Sequence, residues 1–282
     1  MVKSDLFKPA TNEQAFLKAG ITGFQGSGKT YTSYLIAKGI IDHLSPPKGQ
    51  RIPLFHLDTE TGSSFLVKDA KRDGIEYLTA KSRVFKNLLL AIDEAERIGA
   101  VLLIDSITHF WVQLARDLRD EMKRKAMGAG DWVQLSDIWA QFSDRFVNSS
   151  VHIIMCARAG WEYDESMDDD GNKVLSKLRT KMKGQAEMGF EPSLLVEMAQ
   201  ESRAGERARG AKRLKGGQLW DYVAYIQKDR SRTVEGRRFV NPTFEQFRPV
   251  VEFLNLGGQQ LSVDTSRNSR DLFRRDQADQ TL

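Results

Sequence analysis

The sequence predicts an α/β fold: a mostly parallel central sheet covered by helices on both faces, with an antiparallel hairpin extension on its C-terminal side. Three observations predict it. Apolar runs of strand length, "IPLFHLD", "AVLLIDS" and "VHIIMCA", alternate with longer stretches whose apolar residues recur at helical spacing. A glycine-rich loop, "GFQGSGKT", joins an apolar segment to one of those helices. From about residue 194 the texture changes, and "LLVEMAQ" and "LWDYVAYIQK" read as strands with no helix between them.

In chain order, residues 1–14 read as a loose lead-in, 15–256 as one domain and 257–282 as a polar, mobile tail. "AFLKAGIT" is a short strand running into the glycine loop. "KTYTSYLIAKGIIDHL" has helical spacing and stops before the turn signal "SPPKG". "SRVFKNLLLAIDEAERIG" is amphipathic, with Val84, Leu88, Leu89, Ile92, Ala95 and Ile98 on one face and Gly99 as its stop. "ITHFWVQLARDLRDEMKRK" and "DWVQLSDIWAQFSDRFVNS" are two helices separated by "AMGAGD". Their Trp111, Trp132, Trp139, Phe142 and Phe146 are expected in the core or at subunit contacts. Between the last two strands, "ESRAGERARGAKRLKGG" reads as a long basic hairpin, and "NPTFEQFRPVVEFLNLGG" as a turn and a closing helix.

Bulk properties narrow the class. Of the 282 residues, 40% are hydrophobic and 28% charged, as in an ordinary soluble globular protein. A formal charge of +4 permits a polyanionic partner without demanding one. The single cysteine, Cys156, excludes an intrachain disulfide and a cysteine-cluster metal site, and fits a reducing cytoplasm. No apolar run approaches the roughly 18 residues of a membrane span, so a cytoplasmic protein without a membrane partner is expected. His56, His109 and His152 are too scattered to suggest a metal.

Gly23 to Thr30 matches G-x-x-x-x-G-K-[ST] in full, in the strand–loop–helix setting the motif requires. Glycines 23, 26 and 28 let backbone N–H groups turn toward phosphate oxygens at a helix N-terminus. The nucleotide-binding stretch is Gly23, Phe24, Gln25, Gly26, Ser27, Gly28, Lys29, Thr30 and Tyr31. Lys29 brings a charge to the β- and γ-phosphates of ATP, and Thr30 a hydroxyl to Mg²⁺. Asp105, ending the run "VLLID", is placed to serve the same metal; an aspartate that merely ends a strand is the plainer alternative. Glu60, two residues past the strand-ending Asp58, can orient or deprotonate water beside the γ-phosphate, or it belongs to a solvated acidic loop.

Three segments, "GFQGSGKT", "FHLDTE" and "VLLIDSITHF", resemble in order and spacing the core of RecA-like ATPases. "YIQKDRSRTVEGRRF" resembles the K-x-[KR] segment that RecA-like recombinases and ring helicases insert into a neighbouring subunit's nucleotide site. The resemblance spans residues 15–255. More narrowly, "TKMKGQAEMGFEPSLLVEM" and "KDR…GRRFVNPTFEQF" look like phage-encoded RecA-core ATPases of single-strand annealing and recombination. The RecA-like resemblance implies Glu60 as general base and Asp105 as a metal holder acting through water. It also implies Lys228 and Arg230 as catalytic cations acting in trans within a homo-oligomeric ring or filament. A solvated strand end is the alternative for those two cations. RecA itself carries a polar amide where this chain reads "IIMCARAG"; Arg158 either replaces it or pairs with an acid.

Two basic segments offer a surface for single-stranded DNA. Lys177, Arg179, Lys181 and Lys183 follow the acidic "EYDESMDDD", and Arg207, Arg209, Lys212 and Arg213 lie in the second segment. Both are read as flexible loops, or else as solvated charged faces. The expected function is Mg-ATP hydrolysis coupled to single-stranded DNA in recombination or annealing, with a single-strand-binding protein as a further candidate partner. A ring helicase or translocase, a nucleotide-gated switch with little turnover, and an ATPase acting on a protein are its rivals.

Overall fold

The computed structural model describes residues 16–45, 51–123, 125–167, 173–185, 188–202 and 220–254, with the backbone alone over 162–179 within that set. β1 (Lys18–Gly23) passes through the glycine loop into α1 (Lys29–Leu44). β2 (Leu54–Asp58), α2 (Ser63–Arg72), β3 (Tyr77–Lys81) and α3 (Phe85–Ile98) follow. β4 (Val101–Asp105) leads into α4 (Ile107–Glu121) and α5 (Ala129–Asn148). β5 (Ile153–Met167) and β6 (Lys173–Met182) form a ribbon, and β7 (Leu194–Ser202), β8 (Trp220–Asp229), β9 (Arg238–Val240) and α6 (Phe244–Phe253) complete the described chain.

Nine strands among the described residues join in one sheet, in the order β3-β2-β4-β5-β1-β7-β8-β9, with β6 paired to β5. From β3 to β7 neighbours run parallel; β8 and β9 turn antiparallel and make the hairpin extension. The strands read as unbroken apolar runs because successive residues enter opposite cores. On β4, Val101 and Leu103 join the core under α1 and α6, whereas Leu102 and Ile104 join the core with α3 and α5. β5 repeats this: Ile154 and Cys156 face one core, Ile153 and Met155 the other. Trp139, Phe142 and Phe146 are buried in the second core, whereas Trp132 remains 46% exposed. No helix among the described residues is long and apolar enough to cross a membrane.

Local chemistry sets the helix ends. Gly99 closes α3 at φ 75°, where its N–H reaches back to the Ala95 and Glu96 carbonyls, so the left-handed stop is a backbone requirement. Thr243 caps α6 through its side chain, and Gln246 returns a bond to the Thr243 N–H.

The structure corrects several sequence expectations. The basic segment beginning at Lys173 is strand β6, held against the outward continuation of β5, and not a flexible loop. Its order Lys177, Leu178, Arg179, Thr180, Lys181, Met182 has the two-residue period of a strand, a signal masked by the concentration of charge. The apolar face expected for α3 is narrower: Leu88, Ile92 and Ala95 are buried, while Val84 and Ile98 are about half exposed because they sit at the helix's projecting ends. α2, β3 and β9 were not legible in the sequence. β3 is an edge strand with four of its five residues exposed, so it lacks the apolar run that marked its neighbours. The expected lead-in and tail, and Arg207, Arg209, Lys212 and Arg213, lie outside the described residues.

Candidate nucleotide site

Parallel pairing delivers the carboxyl ends of β1, β2, β4 and β5 to one edge of the sheet. Gly23 lies opposite Arg158, Asp58 opposite Asp105, and Asp105 opposite Cys156. Residues distant in sequence thereby meet without any loop having to search for them.

The glycine loop is shaped by space and by backbone sign. A Cβ on Gly23 would stand 2.4 Å from the Met198 carbonyl oxygen, so no side chain fits there. Gly28, the residue before α1, has φ 87°. A Cβ on it would also meet the Tyr222 ring at 2.9 Å. Lys29 Nζ donates to the Phe24 carbonyl at 2.8 Å, and so lies back along the loop. Burial lowers the ammonium pKa, while the nearby Asp105 and Glu60 pull it upward.

The Thr30 hydroxyl donates to the Asp105 carboxylate, joining the start of α1 to the end of β4. Burial raises the Asp105 pKa and the charge of Glu60 adds to it, against the Thr30 hydrogen bond. A carboxylate so placed calls for a cation. Beside it, the buried Ser106 Oγ has no hydrogen-bond partner among the described residues, and a hydrated ion's water would satisfy it. The described residues contain no group of three metal-ligating acids, histidines or cysteines. Magnesium needs none: it is commonly held by one or two carboxylates, with phosphate oxygens and water supplying the rest. Thr30 and Asp105 fit that ion.

Glu60 is carried by a loop tied down at Asp58. The Asp58 carboxylate accepts from the N–H groups of Glu60 (2.8 Å) and Ser63 (2.9 Å) and from the Ser63 hydroxyl. Burial works to raise the Asp58 pKa, but these hydrogen bonds together bring it below its ordinary value. Glu60 Oε1 accepts from Arg158 Nε (3.1 Å) and Nη2 (2.9 Å) and stands 3.3 Å from His109 Nε2. Burial lowers the His109 pKa, which favours the neutral ring. Its Nδ1 is 2.7 Å from the Thr59 hydroxyl. The same hydroxyl donates to the Asp105 carbonyl at 3.1 Å, so the β4 end, the Thr59 loop and the His109 ring are joined through one oxygen. Of the two readings of Arg158, the structure shows pairing with an acid, and the acid is Glu60.

The glycine loop, Lys29, Thr30, Glu60, Asp105, Ser106 and Arg158 line one cavity of about 940 Å³, of a size that suits a nucleotide. One end carries Lys29, Thr30, Glu60, Asp105, Arg158 and Lys183; the other carries Tyr31, Leu35, Tyr222, Asn241, Pro242 and Thr243. Sequence reasoning placed Tyr31 at the nucleotide but missed Tyr222, Asn241, Pro242 and Thr243. These four follow the sheet's reversal, about two hundred positions beyond the loop, and only the β7–β8 pairing brings Tyr222 over Gly28. It also treated His109 as an isolated histidine.

Lys183 stands on the cavity wall, whereas Lys181 is exposed on the ribbon; of Lys177 and Arg179 the backbone alone is described. Lys228 and Arg230 are not brought to this cavity. They lie at the far end of β8, both donating to the Phe190 carbonyl.

A strand–loop–helix phosphate cradle, a threonine bonded to a strand-ending aspartate and a glutamate on the adjoining loop define a P-loop ATPase-type domain. The chain belongs to the AAA domain family AAA_24, whose model matches residues 15–231, well over half its length. No curated protein matches it.

Proposed function

We propose that this chain is a Mg-ATP-hydrolysing protein of the RecA-core kind that acts on single-stranded DNA in recombination or strand annealing, as the phage-encoded proteins it resembles do. The observation that carries the hydrolytic reading is the convergence of Lys29, the Thr30–Asp105 pair and Glu60 on one cavity. The basic strand β6, rooted beside that cavity, supports a polyanionic partner.

Loop N–H groups and Lys29 bind the β- and γ-phosphates and hold ATP for in-line attack. Thr30 and Asp105 would hold Mg²⁺, whose charge would offset that of the phosphates. Glu60 takes a proton from the water whose oxygen bonds to the γ-phosphorus as the bond to the bridging oxygen breaks, leaving ADP and phosphate. Lys228 and Arg230 reach the γ-phosphate of a neighbouring copy, so turnover depends on assembly into a ring or filament.

One observation favours a second reading. Glu60 is held by both Arg158 and His109, which suits a nucleotide-gated switch that turns over little until those contacts loosen. Phosphate release measured with and without single-stranded DNA, alongside particle size, separates the two. Stimulated release by a large particle supports the DNA-dependent ATPase; a near-zero, unstimulated rate supports the switch. Unwinding of a forked duplex would point instead to a helicase. Lys29→Ala should abolish ATP binding, and Glu60→Gln should keep binding while stopping turnover. Undiminished hydrolysis in Glu60→Gln would remove that residue from the mechanism.

A further inference from the structure

We infer that Lys183 binds the terminal phosphate of a nucleoside triphosphate, so that the root of the basic ribbon reads whether the bound nucleotide is a tri- or a diphosphate. The inference rests on the nucleotide reading of the cavity.

Lys183 is the first residue after β6, and its backbone is fixed from both sides. Its N–H donates to the Arg158 carbonyl at 2.8 Å. Its carbonyl accepts from the Thr108 hydroxyl at 2.6 Å, whose oxygen in turn accepts from the Arg158 N–H at 3.0 Å. The same arginine pairs with Glu60, so Lys183 is tied to the water-activating end of the cavity.

The side chain has a seat of its own. A Cβ placed on Gly160 would stand 2.7 Å from Lys183 Cε and 3.0 Å from its Cγ, so the lysine stem lies along the bare Cα of Gly160. Gly160 does not have a left-handed backbone; what glycine contributes at that position is room.

Charge makes the assignment. Three cations face this end of the cavity. Lys29 bonds to the Phe24 carbonyl and Arg158 to Glu60, while Lys183 Nζ has no hydrogen-bond or ion-pair partner among the described residues. A polyanion entering beside Glu60 and Asp105 meets that uncommitted ammonium. The diphosphate lacks the group that would reach it. Trp161, on the outgoing β5, packs its ring 5.4 Å from that of Phe24, so the ribbon's root touches the phosphate loop as well. Lys183 therefore belongs to the nucleotide as well as to the ribbon whose last residues precede it.

The test is fluorescence titration of the full chain, with Mg²⁺, against labelled non-hydrolysable ATP and labelled ADP. The variants are Lys183→Met, which keeps the stem; Gly160→Ala, which keeps the charge but evicts the stem; and Lys181→Met on the ribbon. Lys183→Met should lose about tenfold or more in triphosphate affinity, the scale of one charge-assisted hydrogen bond, with ADP affinity within about twofold of wild type. Gly160→Ala should shift the same ratio in the same direction, and Lys181→Met should leave it unchanged. An unaltered triphosphate-to-diphosphate ratio in Lys183→Met, or equal losses for both nucleotides, overturns the inference while the nucleotide reading stands. A wild-type chain that binds neither nucleotide, matching Lys29→Ala, overturns both.

Discussion

At the residue scale, Lys18 shows how a buried charge is held at the entry of the strand that feeds the phosphate loop. Its ammonium donates to the Ser149 carbonyl (2.8 Å), the Ser149 hydroxyl (2.8 Å) and the Val151 carbonyl (2.6 Å), filling all three donors. Burial lowers its pKa from 10.5 to about 7, with Glu96 opposing. Between those values the unfolded chain still holds the proton and the folded chain has lost it, so stability rises with pH across that window. A shift of that size corresponds to a few kcal/mol. Lys18→Met should remove this rise whatever it does to absolute stability, as read from urea midpoints between about pH 7 and pH 10. An identical slope in the variant would show that the amine keeps its proton in the fold. The candidate site was legible where one local rule suffices: Gly23 to Thr30 is a contiguous motif, and Asp105 ends an apolar run. The pairing of Arg158 and His109 with Glu60 spans 98 positions for Arg158, and no local pattern announces it.

At the element scale, the crossing of α1 and α6 fixes the far wall of the cavity. Gly39 on α1 lies against the Phe244 ring; a Cβ there would stand 1.9 Å from its Cγ. Two effects compete in Gly39→Ala. Alanine's helix preference stabilises by about 0.5–1 kcal/mol, whereas overpacking costs about 1–3 kcal/mol. The ring has little freedom to yield, since Thr243 caps the helix beside it and Arg248 lies 5.3 Å over its face. The clash should win. Gly39→Ala should lower the urea midpoint and also weaken nucleotide binding, because Asn241, Pro242 and Thr243 enter the cavity just ahead of α6. A more stable variant would mean that α6 moves aside freely. Elements followed the same logic of legibility. Strands buried on both faces and helices with an apolar stripe declare themselves; α2 and the edge strand β3 bury too little to do so, and β6 conceals a strand period under charge.

At the scale of the whole molecule, the reversal of the sheet after β7 separates two groups on one strand. Tyr222, near the start of β8, pairs with Gln200 and faces the phosphate loop; Lys228 pairs with Leu195, toward the strands' entry edge. At about 3.3 Å per residue the two are about 20 Å apart, farther than a lysine side chain spans. A cation there cannot reach its own chain's nucleotide; under the proposed function it would act on another copy stacked head to tail. Complementation tests this directly. Lys29→Ala lacks the phosphate site but keeps the donated cations; the double variant Lys228→Ala, Arg230→Ala has the reverse defect. Each alone should be inactive. Mixed in equal amounts they should recover about a quarter of wild-type turnover, because that share of head-to-tail junctions pairs an intact site with intact cations. Recovery should vanish on dilution, when junctions dissociate. If mixing restores nothing while both variants still form particles of wild-type size, Lys228 and Arg230 only brace the Phe190 carbonyl, and hydrolysis is completed by cations within a single chain.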